Sequence, residues 1–256
     1  MTMFAIEFPP VSHLVNWGDI ALDGTPFAVN KVVLLMWMSV AISFAFVWLA
    51  GRDFKLVPSP LQGMGESLID FIQDGIIMQT MGPTGLHFTP LLATMFVFVF
   101  VTNIWEIIPG IQMPVNARIA LPVFLALMVW LMYMVLGFMK QGFFGYFKNT
   151  MFPPGVPKAL YVLVAPIEFV STVIVRPLSL SVRLFANMLA GHLLLVSFTV
   201  ICAALWGLSI TLAILPFAFG LLVALTGFEV LVAFLQAFIF TILTAVYLSS
   251  SLNPEH

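Results

Sequence analysis

Charge is scarce in this chain: nine Lys and Arg and eleven Asp and Glu make up 8% of its 256 residues. A water-soluble domain dresses its surface with roughly 25% charged residues, so this one cannot cover itself in water. With 62% hydrophobic residues, its solvent is largely lipid, as for an integral membrane protein. The formal net charge of -2 provides no basic face for nucleic acid. Cysteine is nearly absent. The lone Cys202 excludes an intrachain disulfide and a thiolate metal cluster, and in apolar surroundings it reads as a small hydrophobe. Catalytic signatures are missing as well: the sequence has no HExxH, no Gly-x-Ser-x-Gly, no phosphate-binding glycine loop and no Cys/His cluster. Neither metal nor cofactor is expected. No internal repeat is visible, which weakens transporter folds built from repeats. The opening stretch, MTMFAIEFPPVSHLVNWGDIALDG, has no Lys or Arg. Signal and transit peptides need early positive charge, so the first apolar span is expected to stay and direct insertion.

What is abundant is apolar helix. Val32–Gly51, Phe88–Ile108 and Ile119–Met139 each have the length of a crossing, about 20 residues. None alternates polar with apolar residues as a barrel strand would. The expected fold class is an all-α integral membrane protein in a single membrane domain. Arg52 and Lys55 follow the first span and Lys140, Lys148 and Lys158 follow the third, against Lys31 and Arg118 on the other side. The excess of Lys and Arg marks the cytoplasmic face. Residues 1–29 are therefore expected outside, 30–51 as the first transmembrane helix and the C-terminus in the cytoplasm. Segment 140–158, with its FPPGVPK loop, is expected at the cytoplasmic surface.

Between the first two spans, Leu61, Met64, Leu68, Phe71, Ile72 and Ile76 recur at helical spacing, with Glu66, Asp70 and Asp74 on the other side. This predicts an amphipathic helix over 60–80 on the cytoplasmic membrane surface. Its polar face is acidic and would repel anionic lipid, so a protein neighbour suits it better. Residues 88–139 read as a transmembrane hairpin.

Beyond Lys158, Ala159–Leu205 and Ile210–Ser250 are two helix-like stretches parted by Trp206–Ser209. Each would run about 60–70 Å as one helix, twice a hydrocarbon core of roughly 30 Å. Either each turns, at Pro177 and Pro216, and crosses twice, or each is one strongly tilted helix.

The polar residues of this region are few. Arg176, Ser179, Arg183 and Asn187 form one helical stripe flanked by the small Ala186 and Ala190, with His192 nearly opposite Arg183. Glu229 and Gln236 share a face of the second stretch, and Glu168 lies near the cytoplasmic end. An arginine at mid-bilayer costs from about 2.5 to more than 10 kcal/mol and does not escape by deprotonating. Arg183 therefore reads as a fixed cation facing a carboxylate or an ion path, whereas Arg176 can snorkel to the interface. Glu229 needs a proton or a partner. The hairpin break should bring it to His192, after absorbing a depth mismatch of about 9 Å.

The stretch RPLSLSVRLFANMLAGH, Arg176–His192, resembles the signature of subunit a of the rotary F-type ATP synthase. LQAFIFTILTAVYLSSSL, Leu235–Leu252, is similar to that family's last helix. The resemblance implies one transmembrane helix, a hairpin and two long tilted helices over 159–250, beside a ring of small proteolipid c subunits. It also implies peripheral-stalk b subunits as partners and one copy per complex. It assigns Arg183 as the essential arginine facing the ring. Glu106, Asn103, Asn187, His192, Glu229 and Gln236 would line an outer half-channel, and Glu168 and Ser179 an inner one. His192 and Glu229 stand in the reverse order to some bacterial members, and Glu168 is one place from the acid of some relatives. The implied function is proton translocation for ATP synthesis, in a bacterial plasma membrane or, alternatively, the mitochondrial inner membrane. A proton-coupled secondary transporter is the alternative function, and a structural scaffold a third.

Overall fold

The computed structural model describes residues 19–21, 28–52, 55–108, 110–113, 115–152, 157, 160–206 and 214–252. The expectations for segment 1–29, FPPGVPK with Lys158, and the Trp206–Ser209 break lie wholly or partly outside these residues. Five helices among them are long and apolar enough to cross a membrane: Lys31–Ala50, Gly82–Ile104, Ala120–Gln141, Tyr161–Leu205 and Leu215–Leu252.

Two short antiparallel strands, β1 (Asp19–Ala21) and β2 (Val29–Asn30), precede the first helix, a small departure from an all-helical reading. Helix α1 (Lys31–Ala50) starts where the Asn30 side chain accepts from Val33 N at 3.1 Å, satisfying a donor that helix geometry leaves open. Helix α2 (Pro60–Ile72) has Ser59 as its cap and Pro60 in its first turn, the position where a missing N–H does no harm. It continues through a π-turn, Gln73–Ile77, and the turn Met78–Thr80.

The 60–80 segment does not simply lie on a surface. Ile72, Ile76 and Ile77 are fully buried in the main core, while Leu61 and Met64 of the expected apolar face are exposed. The π-turn adds a residue to the helical repeat and so shifts the faces past it. Of the acidic residues, Asp70 and Asp74 are exposed, and Glu66 accepts from Gln62 Nε2 at 2.7 Å.

A 3₁₀ turn, Gly82–Phe88, leads into α3 (Thr89–Ile104). Helix α4 (Ala120–Gln141) ends at Gly142, whose φ of +73° suits a residue without Cβ. There the chain turns into α5 (Phe143–Met151), nine residues for which the sequence reading names no element. Helices α3 and α4 do not pack as a close hairpin. The main partners of α3 are α1 and α8, and those of α4 are α7 and α8. The connection between α3 and α4 can span this separation because it packs in its own right. Trp105, Met113 and Val115 form a second cluster with Val32 and Leu35, and Trp105 Nε1 donates to Ser39 Oγ at 2.7 Å.

Helix α6 (Tyr161–Val170), a π-turn (Ser171–Val175) and α7 (Arg176–Leu205) form one uninterrupted run of 45 residues. Helix α8 (Leu215–Leu252) has 38. At 1.5 Å per residue these are about 67 and 57 Å long. Neither Pro177 nor Pro216 turns the chain. Pro216 stands in the first turn of α8, where proline is tolerated, whereas Pro177 lies inside the 45-residue run, one residue after the π-turn. The reading with two ordinary crossings in each stretch is thereby excluded.

Candidate functional site

Helix α7 has two chemically distinct faces. Leu180, Leu184, Met188, Gly191 and His192 are buried, whereas Ser179, Val182, Arg183, Ala186 and Ala190 are exposed. The i, i+4 spacing of each set separates them around the helix. Among the described residues, Arg183 has no hydrogen bond, ion pair or ring partner. Its guanidinium is held out on the open face, between the small residues that would let a neighbouring helix approach.

The polar residues gather on the buried face. His192 Nδ1 lies 3.8 Å from Glu106 Oε1, with both side chains almost wholly enclosed. Glu106 stands two residues beyond the end of α3, outside the crossing helix. Burial, reinforced by the Glu229 carboxylate, pushes its carboxyl up to about 8, so it changes protonation near neutral pH, as a relay group must. The end of α3 is fixed from the next loop: Asn116 Nδ2 donates to Asn103 Oδ1 at 2.7 Å and to Thr102 Oγ1 at 2.9 Å.

Glu229 reaches the cluster through a gap in α7. A Cβ on Gly191 would stand 2.7 Å from Glu229 Oε2 and 2.9 Å from its Cδ, so the carboxyl occupies the place of the missing side chain. Counted from the described helix ends, the depths match. Gly191 is fourteen residues back from Leu205, and Glu229 is fourteen residues on from Leu215. His192, the residue named in the sequence reading, is thirteen residues back from Leu205, so between the described ends its depth differs from that of Glu229 by one residue, about 1.5 Å.

Two cavities adjoin here. Lys31, Gln112, Glu106, His192 and Thr199 contribute to the lining of one, of about 300 Å³. Asn103, Glu106, Asn187 and Glu229 contribute to the other, a much smaller one. Glu106 borders both. It joins His192 on one side to Glu229 on the other, and Asn187, one turn beyond Arg183, brings the second cavity towards the exposed face. Gln236 is buried two turns after Glu229 on α8. Its Nε2, Asn103 Nδ2 and Glu106 Oε1 are buried without a hydrogen-bond partner among the described residues, and such atoms are ordinarily satisfied by ordered water. Of these groups the Glu106 carboxyl can exchange a proton with water, while the amides of Asn103 and Gln236 can only hold a water in place.

The remaining sequence candidates stand apart from this cluster. Glu168 is half-buried on α6 and Ser179 exposed on α7, and no hydrogen bond or ion pair joins either to Arg183 among the described residues. Arg176 is tied to the end of α8, its Nη1 donating to Ser250 Oγ at 3.2 Å and its guanidinium lying 5.4 Å from the centre of the Tyr247 ring. The sequence reading passes over Gly191 and Asn116. The small residue directly before His192 is the available signal for the first, while nothing local marks Asn116.

Comparison with known proteins bears on the same residues. The family model described as ATP synthase A chain matches residues 33–249. ATP synthase subunit a of Frankia alni is 40% identical over 248 residues, covering 94% of this chain and 84% of the relative. The subunit a of Mesorhizobium japonicum is 39% identical, with 95% of each chain covered. That of a Methylobacterium species is 40% identical over 98% of this chain and all of its own. The matched region takes in most or all of each of the five crossing helices, the buried acid–histidine cluster and Arg183, and by that extent the chain belongs to the ATP synthase A chain family.

Proposed function

We propose that this chain is the proton-translocating stator subunit of a bacterial F-type ATP synthase, supplying two offset half-channels to a rotating ring of proteolipid c subunits. The observation that carries the reading is the division of α7. Arg183 is exposed on one face without a partner among the described residues, and a buried polar cluster bordering a cavity lies on the other. A continuous water path would dissipate the proton gradient, so entry and exit must end at different places along the ring.

A proton entering from outside passes Glu106, His192, Glu229 and Asn103, then Asn187 and Gln236, and neutralises a ring carboxylate. The neutral site can turn into lipid, whereas a charged one costs several kcal/mol. On its return the carboxylate meets Arg183, which favours the ionised acid, and the proton leaves inward past Ser179 and Glu168. Arg183 holds its own proton at all working pH values, so it separates the half-channels without bridging them. A potential of 100 mV contributes about 2.3 kcal/mol for each proton. Two helices about twice as long as the membrane is thick fit this role when strongly tilted, since they then lie along the ring. The exposed Asp70 and Asp74 offer a cytoplasmic docking face to the peripheral-stalk b subunits. The N-terminus is placed outside and the C-terminus in the cytoplasm of a plasma membrane.

Purification in mild detergent tests this reading. The chain is expected to carry small two-helix proteolipids in many-fold molar excess, and the reconstituted complex to acidify vesicles when ATP is added. A chain purified without proteolipids from membranes that contain them would overturn it.

A further inference from the structure

The π-turn before Arg183 contains a backbone defect with an identifiable origin. In this turn the Arg176 N–H bonds the Ser171 carbonyl, five residues back. The next donor in that register would be residue 177, which is proline and carries no N–H. The Thr172 carbonyl is therefore left without its helical donor, at a residue only 2% exposed. A buried, unpaired carbonyl is costly enough that nearly all are satisfied in folded proteins. Here the donor comes from another helix: Tyr133 Oη of α4, itself 1% exposed, donates to Thr172 O at 2.6 Å. The Tyr133 ring packs against Tyr247 with centroids 5.8 Å apart, and Tyr247 in turn lies under Arg176.

We infer that Tyr133 is a positioning residue for Arg183: by capping the Thr172 carbonyl orphaned by Pro177 it holds the π-turn, which sets the rotational face of α7. An inserted residue rotates the later part of a helix by about 100° relative to the earlier part. Loss of the π-turn would therefore swing Arg183 off its open face towards the packed side. The inference rests on the proposed role of Arg183. It adds a residue distant from the proton path, on a different helix, with a hydrogen-bonding rather than a charge-bearing task.

The test uses the assembled ATP synthase in inverted membrane vesicles. Tyr133→Phe keeps the ring and removes only the hydroxyl. It is expected to reduce ATP-driven proton pumping on the order of fivefold to tenfold, the effect of losing about 1–1.4 kcal/mol, with subunit composition unchanged. The discriminating variant is Tyr133→Phe with Pro177→Ala, because alanine returns an N–H that can close on the Thr172 carbonyl. Recovery of at least half the lost pumping is expected, and a tyrosine that only fills space would not be rescued in this way. If Tyr133→Phe alone is not retained in the complex, the double variant decides, and its retention with activity supports the inference. Wild-type pumping in Tyr133→Phe, or a double variant no better than the single, overturns it. Arg183→Ala in the same vesicles separates the two levels: a fully active Arg183→Ala removes the underlying function. An inactive one beside a wild-type Tyr133→Phe removes only the positioning role.

Discussion

Arg183→Ala is expected to abolish both ATP synthesis driven by a proton gradient and proton pumping driven by ATP, while the complex still assembles. Assembly should survive because the side chain is exposed and has no partner among the described residues, so its removal leaves no unpaired group inside the subunit. Coupling should not survive. A ring carboxylate leaving lipid would meet an apolar wall instead of a cation, and an unpaired charge there is worth several kcal/mol. A loss beyond about 100-fold corresponds to only ~2.7 kcal/mol, so the expected effect is at least that large. On the proposed mechanism passive proton leak should rise as well, since the fixed charge that would part the half-channels is gone. Arg183→Lys should also fail badly, because an ammonium lacks the planar, multidentate donor set of a guanidinium. Synthesis rates in energised vesicles measure this, and normal rates in Arg183→Ala would contradict it.

The second large effect is expected from one methyl group. Gly191→Ala places a Cβ 2.7 Å from Glu229 Oε2, closer than van der Waals contact allows, so the carboxylate must leave its place against α7 near Glu106. Proton uptake from the outer side should fall on the order of tenfold, the cost of displacing one relay group by an ångström or so. Shortening the acid should return part of the loss, making Gly191→Ala with Glu229→Asp faster than Gly191→Ala alone. Uptake can be read as the initial rate of gradient-driven synthesis. An unimpaired Gly191→Ala would show that the Glu229 carboxyl is not needed where it stands.

The sequence was most informative where the cost of a residue was highest. Arg183, His192 and Glu229 stood out because lipid penalises each of them and nothing near in sequence compensates. The long helices were harder to read, since forty apolar residues fit one tilted helix or two crossings equally well. Pro216 does not end its helix because it stands in the first turn, and Pro177 follows a π-turn within a continuous helical run. The packing of the α3–α4 pair was not legible: neighbours in sequence usually pack together, whereas here α8 is the common partner of both. The relay was legible in part. The sequence set His192 beside Glu229, and the structure sets Glu106 against His192 and Glu229 against Gly191. The meeting of a carboxyl with a glycine joins residues of two different helices, so no local pattern marks it. The π-turn and the Tyr133 bond were invisible, because a hydrogen bond between residues 39 apart leaves no local pattern.

The central claim is that the exposed face of α7 bearing Arg183 meets a ring carboxylate. Oxidative cross-linking in whole complexes tests it most directly. In a Cys202→Ala background, a cysteine replacing the exposed Ala186, three residues past Arg183, is paired with one placed beside the proteolipid carboxylate. A cysteine at Leu184, which is fully buried, is the control. The account predicts a disulfide to the proteolipid from position 186 and none from 184. No cross-link from 186, or an equal one from both, would contradict it.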